Sequence, residues 1–279
     1  MTMSAFRVSA RWGILIVFGG VGCTALVDVD VTYCVPIGPR YAESFNLSRA
    51  DLTDRCWGEE PAEGPSYTDD GDLVIPAVRG QRWSPVLSST MIFRRMTGDF
   101  VVVARAEATS TIVAGHCLHP EEGAGLVVRR GAPLAWATLL VSPDFAPGVD
   151  PAVACGDTFK PPARVRTRSS GFGPTTEQEV DGVGVDAEAL IAICRLGDQL
   201  AFYYRSPGNV PEWIAFHQQA STTEPVDVGL TVSGSGVAAD DKGMEGHFPN
   251  VAFFDLSEVR VPDGCSGALA TYVDPVEGK

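Results

Sequence analysis

The chain has 279 residues, of which 45% are hydrophobic, so it can bury a packed core and is not disordered throughout. Its formal net charge of −14 argues against DNA or RNA as a partner, because binding to phosphates needs a basic surface. The same charge disfavours purely electrostatic attachment to an anionic membrane. With 30 glycines and 20 prolines, the composition suits a fold that has many turns.

Residues 1–22 have the pattern of an export signal, with Arg7 and Arg11 before a short apolar run at residues 14–18. The run is shorter than the roughly 20 apolar residues that a membrane-spanning helix needs. A small residue directly before Cys23 resembles the lipobox of bacterial lipoproteins, although Gly20 stands where that pattern usually has Leu. We therefore expect lipidation of Cys23, with simple cleavage or a buried thiol as the alternatives.

The lipoprotein resemblance also predicts a location. A lipidated Cys23 would give stable attachment to a membrane, because the modification carries more than one acyl chain. By the sorting pattern of that family, Thr24 after the cysteine favours the outer membrane. We expect an exported protein, either an outer-membrane lipoprotein or a protein of the periplasm or cell surface, with residues 23–40 as a lipid-anchored tether.

Six cysteines remain beside Cys23, and an even number in an exported chain predicts disulfides. Cys117 and Cys155 lie in loops that flank one predicted hairpin, so they are the favoured pair. Buried thiols or a metal site are the alternatives, but no Cys-x-x-Cys occurs, which disfavours structural zinc. The six disulfide candidates are Cys34, Cys56, Cys117, Cys155, Cys194 and Cys265.

Short apolar runs separated by Gly, Pro, Asn and Asp predict many β-strands, and no helix of convincing length is predicted. We interpret the segments 171–185 and 243–249 as loops. Many short strands without intervening helices predict an all-β, antiparallel two-sheet sandwich over residues 41–279. The predicted strands are 41–47, 73–75, 91–95, 100–108, 125–130, 134–142, 165–170, 190–194, 200–204, 213–216, 226–232 and 251–259.

Short motifs follow one another in a set order over roughly residues 41–262. They are Asp70-Gly71-Asp72-Leu73, Gly98-Asp99-Phe100, Gly125-Leu126-Val127-Val128-Arg129, Trp136, Gly197-Asp198, Tyr203-Tyr204-Arg205-Ser206 with Trp213, Val228-Gly229-Leu230 and Val251-Ala252-Phe253-Phe254-Asp255. This order resembles the concanavalin A-like lectin/glucanase superfamily, and within it the uncharacterised bacterial members. The resemblance implies a jelly roll of two sheets, with the concave face as the usual carbohydrate site.

Sugars are bound by aromatic platforms with a few planar polar groups beside them. Strand alternation then decides which side chains can reach an exposed face. The resulting candidates for ligand binding are Arg129, Trp136, Tyr203, Arg205 and Trp213. The alternative for each is a structural role, in which the tryptophans belong to the core and Arg129 lies at an edge with its charged head in water.

Glucanases of the superfamily carry Glu-x-Asp-x-Glu or Glu-x-Asp-x-x-Glu on one strand, and two of these carboxylates do the chemistry. The nearest match is Glu179-Val180-Asp181, but Val183 and Gly184 stand where the third carboxylate belongs. No catalytic residue is therefore predicted. We expect an envelope-anchored carbohydrate-binding module without catalysis. The alternative is a structural or protein-interaction lipoprotein of the envelope. A glycoside hydrolase is the third and least favoured hypothesis.

Two groups of residues have side chains of the types that bind metal ions. The Asp-rich turn at residues 68–72 and Asp240-Asp241 could hold calcium, but an isolated acidic turn is more often only a turn. His116 and His119 could bind a metal, but no distant partner supports them. We therefore predict neither a metal nor another cofactor, and the sequence leaves the ligand and the oligomeric state open.

Overall fold

The computed structural model describes residues 9–13, 28–32, 40–44, 57–60, 66–67, 71–77, 83, 89–110, 122–131, 134–144, 162–184, 187–205, 212–234, 244–256 and 264–273. Contacts divide the chain into two units, residues 1–37 and 38–279. In the first unit, β1 (Ser9–Gly13) and β2 (Asp28–Thr32) pair as a two-stranded antiparallel sheet. These strands fall in the segments predicted to be the signal and the tether, and that division of the chain stays a prediction.

The second unit contains two larger antiparallel sheets. The strands of the first are β4 (Gly58–Glu60), β7 (Met91–Met96), β9 (Gly123–Arg130), β10 (Ala135–Pro143), β11 (Ala163–Ser170), β12 (Thr176–Gly184) and β16 (Val226–Ser233). They are ordered β12-β11-β10-β9-β16-β7-β4. We call this the seven-stranded sheet.

The nine-stranded sheet is built around the long strand β8. Its strands are β3 (Arg40–Ser44), β5 (Ser66–Tyr67), β6 (Leu73–Pro76), β8 (Phe100–Ser110), β13 (Glu188–Leu196), β14 (Gln199–Arg205), β15 (Trp213–Ala220), β17 (Met244–Phe248) and β18 (Asn250–Asp255). The order is β15-β14-β13-β8-β17-β6-β5, and β18 pairs with β8 and β3. One short helix follows, α1 (Gly264–Ala270).

An apolar cluster between the two sheets takes alternate residues from their central strands, as the period of a β-strand requires. In β9 these are Ala124, Leu126 and Val128, and in β13 they include Ile191 and Ile193, all fully buried. Each large aliphatic side chain buried in this way contributes roughly 1.5–3 kcal/mol to stability. The predicted all-β jelly-roll sandwich is confirmed. We call the face of each sheet that points away from this cluster its outer face.

The predicted loop over residues 171–185 is wrong, because β12 occupies most of it and pairs with β11. β12 is an edge strand, and among its residues only Val183 is buried while Val180 packs partly against the core. It therefore lacks the apolar alternation that marks a strand in sequence. Gly182 has a φ of 66°, a backbone conformation that suits glycine and interrupts the regular pattern.

The predicted loop over residues 243–249 is also wrong, because β17 lies there between β6 and β8. A Cβ atom on Gly246 would lie 2.5 Å from Cγ1 of Val232 and 2.8 Å from Cβ of Ala124. Gly246 therefore lies where the two sheets approach each other too closely for a side chain. Because glycine is rare inside strands, residue propensity did not predict a strand here. Helix α1 was not predicted either, since its seven residues are mostly small.

A buried cation joins the turns at one end of the sandwich. Arg195 at the end of β13 is 0% exposed. Its Nε donates a hydrogen bond to the carbonyl of Gly98 at 2.7 Å. Its Nη1 donates to the carbonyls of Glu224 at 2.9 Å and Thr222 at 3.3 Å. Gly98 lies between β7 and β8, and the other two lie between β15 and β16. Each of these turns carries the chain from one sheet to the other, so one guanidinium holds both crossovers.

The surroundings of Arg195 fit a charged group inside the fold. Burial lowers the pKa of Arg195, and the nearby Asp99 opposes that shift. The guanidinium carbon lies 4.8 Å from the ring centroid of Phe100, a distance at which a cation is attracted to the ring. Asp99 also accepts a hydrogen bond from the backbone N–H of Gly197 at 2.7 Å, which fixes the β13–β14 turn.

Replacing Arg195 by lysine should lower the free energy of unfolding by roughly 2–4 kcal/mol, because a single ammonium cannot span carbonyls on two turns and leaves buried acceptors without partners. Chemical denaturation of both forms measures the difference. The matched control is Arg95→Lys, whose side chain is 62% exposed, and it should change stability by less than about 0.5 kcal/mol. Equal effects of the two substitutions would contradict the account.

Candidate functional site

The five ligand-binding candidates divide between two sheets. Arg129 on β9 and Trp136 on β10 are cross-strand partners on the outer face of the seven-stranded sheet. Arg205 on β14 and Trp213 on β15 are cross-strand partners on the nine-stranded sheet, and Tyr203 shares their outer face. Because the two faces point away from the shared core on opposite sides, these residues form two groups and not one site.

The first group is enclosed. Trp136 is 2% exposed, and its ring centroid lies 5.5 Å from that of Trp83, whose Nε1 donates to the Thr231 hydroxyl at 2.9 Å. Arg129 is 8% exposed and its Nη2 donates to Asp227 Oδ2 at 3.2 Å. The alternative of a packing role fits the surroundings of Trp136, whereas Arg129 is buried against Asp227 and does not lie at an edge with its charged head in water. Binding of a ligand by either residue stays a prediction.

Carboxylates and arginines form a ladder along the edge of the same outer face. Arg164, Arg166 and Arg168 alternate along β11, and acidic residues alternate along β12 opposite them. The ion pairs are Arg164 with Asp181 at 2.6 Å, with Asp144 at 3.0 Å and with Glu179 at 3.4 Å, and Glu177 with Arg168 at 3.3 Å and with Arg166 at 3.9 Å.

The ion pairs of this ladder determine whether the carboxylates of β12 have the surroundings that a glycosidase needs. Burial lowers the pKa of Arg164, but the charges of Glu179 and Asp181, together with hydrogen bonds to Asp144 and Asp181, leave that pKa above its ordinary value. A glycosidase needs one carboxyl group in surroundings that keep it protonated, usually apolar ones. Here all three carboxylates of β12, Glu177 included, lie against arginines and not in an apolar pocket.

The outer face of the nine-stranded sheet is partly covered by α1. Cys265, Ala268 and Leu269 of the helix pack on an apolar patch formed by β8, β13, β14 and β18. At its margin the Trp213 ring lies 6.2 Å from that of Tyr272, edge to face. Two predicted ligand residues of this group, Arg205 and Trp213, are half-buried and so retain exposed surface.

A disulfide fixes α1 in this position. Cys194 of β13 and Cys265 of α1 are bonded, with a Cα–Cα distance of 5.9 Å. Both were among the disulfide candidates, but their pairing was not predicted. The favoured pair Cys117–Cys155 lies outside the described residues, as do Cys23, Cys34 and Cys56. Connectivity cannot be deduced from spacing alone, because six cysteines allow fifteen pairings.

A cavity of about 290 Å³ lies beside this disulfide. Among the described residues that line it, none carries a charged side chain. Tyr203 contributes its phenol, and burial raises the pKa of that phenol while a hydrogen bond to Ser266 partly offsets the shift. Tyr203 therefore stays neutral at physiological pH. The lining residues are Cys194, Leu196, Gln199, Ala201, Tyr203, Gln218, Cys265 and Ser266.

Sequence reasoning found Tyr203 but missed its neighbours in the cavity. Gln199 and Ala201 share a face with Tyr203 by simple alternation along β14, so this part was open to prediction. Gln218 sits opposite Ala201 only because a β-bulge shifts the register between Phe202 and Tyr203, and no residue pattern announces that bulge. Ser266 lines the cavity because the disulfide holds its neighbour Cys265 against β13. The sequence did not predict that pairing of cysteines.

The described part of the chain contains neither a candidate metal cluster nor a candidate membrane-spanning helix. No group of three or more His, Cys, Asp and Glu side chains there could hold a metal ion. No helix in the same residues has the length and apolar character needed to span a membrane. The metal-ligand candidates Asp70, His116, His119, Asp240 and Asp241 lie outside these residues.

No protein-family model matches the chain, and no curated protein matches it. Among solved structures, the GH43 BlXynB protein from Bacillus licheniformis is similar, with a TM-score of 0.51 and 11% identity, over 83% of this chain and 41% of that one. A lichenase from a mouse hindgut metagenome has a TM-score of 0.49 and 11% identity, over 78% and 100% of the two chains. The CBM2 module of a Lactobacillus casei BL23 phage J-1 evolved Dit has a TM-score of 0.46 and 12% identity. The match covers 76% of this chain and 93% of that one.

At such identities the similarity shows the fold alone. Together with the two packed antiparallel sheets, the likeness to the GH43 protein supports a jelly-roll sandwich fold for this chain. One fold of this kind hosts many functions, so activity has to be argued from the site.

Removing the disulfide with Cys194→Ala and Cys265→Ala together should lower the free energy of unfolding by about 4 kcal/mol. The bond closes a loop over a sequence separation of 71, and the chain-entropy model gives about this value for such a loop. Denaturant unfolding measures it. Ser266→Ala, which leaves the bond intact, is the control and should cost less than about 1.5 kcal/mol. A double variant as stable as the parent would show that the bond does not hold α1 in solution.

Proposed function

We propose that the protein is an exported, lipid-anchored carbohydrate-binding protein without catalytic activity, and that it binds a neutral sugar on the outer face of the nine-stranded sheet. The observation that carries this proposal is the cavity in which Tyr203 meets uncharged polar side chains over an apolar floor. Arg205 and Trp213 lie on the same outer face, beyond the lining of the cavity, so three of the five residues expected to bind a glycan share that face.

The lining of the cavity matches the chemistry of a sugar ring. Sugar hydroxyls both donate and accept hydrogen bonds. The amides of Gln199 and Gln218 offer both functions, and so do the hydroxyls of Tyr203 and Ser266. Ala201 and the disulfide offer an apolar surface for the C–H groups of the ring. The volume of about 290 Å³ lies just below the usual range for ligand pockets, roughly 300–1,000 Å³, which suits a single sugar residue at the end of a glycan.

Charge selects among sugars. The lining residues supply no cation to pair with a carboxylate or sulfate, and the whole chain has a net charge of −14. Burying an unpaired anion in such a cavity is costly. Neutral sugars are therefore the expected ligands, and uronic acids and sulfated sugars should be excluded.

Two observations support the absence of catalysis. The strand β12 does carry carboxylates at alternate positions, but the arginines of β11 pair with them. The cavity on the other sheet contains no carboxylate among its described lining residues. Hydrolysis by two carboxyl groups needs both of them free to act at one bond of the substrate, whereas the carboxylates of β12 are engaged by arginines.

The proposal of export and anchoring rests on the N-terminal sequence, and the disulfide supports export. Arg7, Arg11 and the apolar run before Cys23 form the signal, and Cys23 is the proposed site of lipid attachment. Disulfides persist in oxidising compartments such as the periplasm and the cell surface. The bond between Cys194 and Cys265 fits that location.

Binding to a glycan array should be selective for neutral terminal sugars and should weaken on Gln218→Ala or Tyr203→Phe. Loss of one hydrogen-bonding group costs about 1 kcal/mol, or about fivefold in affinity. Calorimetric titration with the selected sugar measures the change. The matched control is Gln178→Ala on β12, an exposed glutamine of the other sheet, which should bind as the parent does.

The result that would contradict this proposal is binding that survives Gln218→Ala and Tyr203→Phe unchanged. Binding that requires Trp136 with a correctly folded variant would instead place the site on the seven-stranded sheet. No binding to any glycan would favour the alternative, a protein-interaction lipoprotein of the envelope.

Lipid attachment is tested separately. In a bacterial host, the full chain should incorporate radiolabelled palmitate and partition into the detergent phase, and Cys23→Ser should abolish both. Cys34→Ser is the control, since it removes a cysteine outside the lipobox-like motif and should leave labelling unchanged. Labelling that persists in Cys23→Ser would contradict the proposed anchor.

A further inference from the structure

The strand β15 forms an edge of the nine-stranded sheet. Among the described strands it pairs only with β14. Half of the backbone N–H and C=O groups of such a strand point away from its sheet, where they can pair with another strand. Natural proteins usually protect such edges with charged residues or proline.

The two neighbouring edges of the sandwich differ in this protection. The edge strand β12 of the seven-stranded sheet carries Glu177, Glu179 and Asp181. The edge strand β15, Trp213-Ile214-Ala215-Phe216-His217-Gln218-Gln219-Ala220, contains no Asp, Glu, Lys, Arg or Pro. It also exposes apolar surface, since Ile214 is 37% exposed. By composition, and by its position among the described strands, β15 is therefore open to strand pairing on both sides of the bulge at Phe216.

We propose that β15 pairs in antiparallel fashion with β15 of a second copy of this chain, so that two nine-stranded sheets become one continuous sheet. A net charge of −14 on each copy makes most approaches repulsive. An eight-residue strand without acidic residues is a place where two copies meet without opposing carboxylates. Contact through the same strand in both copies closes the assembly at two, as an isologous interface does.

The geometry of this dimer fixes where the two sugar sites lie. Neighbouring antiparallel strands that are copies of each other are related by a two-fold axis perpendicular to the sheet. Such an axis keeps both outer faces on the same side. Strands are about 4.8 Å apart, and the cavity is centred near β14, so the two cavities lie roughly 15 Å apart across the strands.

The consequence for binding rests on the proposed function. Two cavities on one side of the dimer engage a surface that displays many copies of a sugar, and the second contact becomes intramolecular. The dimer then binds a surface coated with the sugar more tightly than one cavity binds a single sugar. A single soluble sugar gains nothing from the dimer.

The test is sedimentation velocity over a concentration series, with the full chain carrying Cys23→Ser so that no lipid drives association. The parent should sediment as a dimer that dissociates on dilution. Ile214→Glu should weaken the dimer at least tenfold, because it places a carboxylate in the contact of an already acidic chain. Leu134→Glu is the matched control, since Leu134 is 38% exposed, and it should dimerise like the parent.

Hydrogen exchange of the parent gives a second readout, in which the outward-facing amides of β15 should exchange more slowly as concentration rises. A parent that is monomeric at all concentrations overturns the proposal. A dimer that Ile214→Glu leaves intact, or that does not protect β15, also overturns it, because the contact then lies elsewhere.

These outcomes are distinct from failure of the glycan site. Calorimetric affinity for a soluble monosaccharide should be the same in the parent and in Ile214→Glu, whereas retention on a surface coated with that sugar should fall at least tenfold in Ile214→Glu. Absence of monosaccharide binding would refute the proposed function and leave the dimer to be judged by sedimentation alone.

Discussion

A guanidinium without solvent contact holds the two turns through which the chain passes from one sheet to the other. Arg195 satisfies carbonyls on both crossovers at once, and no shorter or differently shaped cation could span them. The β13–β14 hairpin that carries Arg195 is thereby fixed against the β7–β8 turn. Because Cys194, Gln199, Ala201 and Tyr203 all belong to this hairpin, the geometry of the cavity follows from the same constraint.

The two outer faces of the sandwich have become chemically different. On the seven-stranded sheet, tryptophans and ion pairs fill the space above the strands, so polar groups such as Arg129 and Asp227 satisfy each other. On the nine-stranded sheet, a seven-residue helix held by a disulfide covers only part of the face. The uncovered margin leaves uncharged hydrogen-bonding groups next to an apolar floor. Recognition of a neutral ligand is better suited to this face, since little ion pairing has to be broken there.

The sequence predicted much of the fold because most strands alternate or form apolar runs between clear turns, as in β8, β13 and β14. It failed at β12 and β17, where an edge position and Gly246 remove the apolar period on which the prediction depends. The site was predicted only in part. Alternation identified Tyr203 and Arg205 as neighbours on one face, but it could not show that Trp136 faces the opposite side, because sheet membership depends on long-range pairing. The pairing of Cys194 with Cys265, and the bulge that brings in Gln218, leave no signal in residue spacing.

The central claim is that the ligand face belongs to the nine-stranded sheet. The most direct test is hydrogen exchange, read by mass spectrometry, with and without a mixture of neutral gluco-, manno- and galacto-oligosaccharides. The account predicts that ligand slows exchange in β14, β15 and α1 and leaves β9 and β10 unchanged. Slower exchange confined to β9, β10 and β16 would contradict it and would assign binding to the seven-stranded sheet.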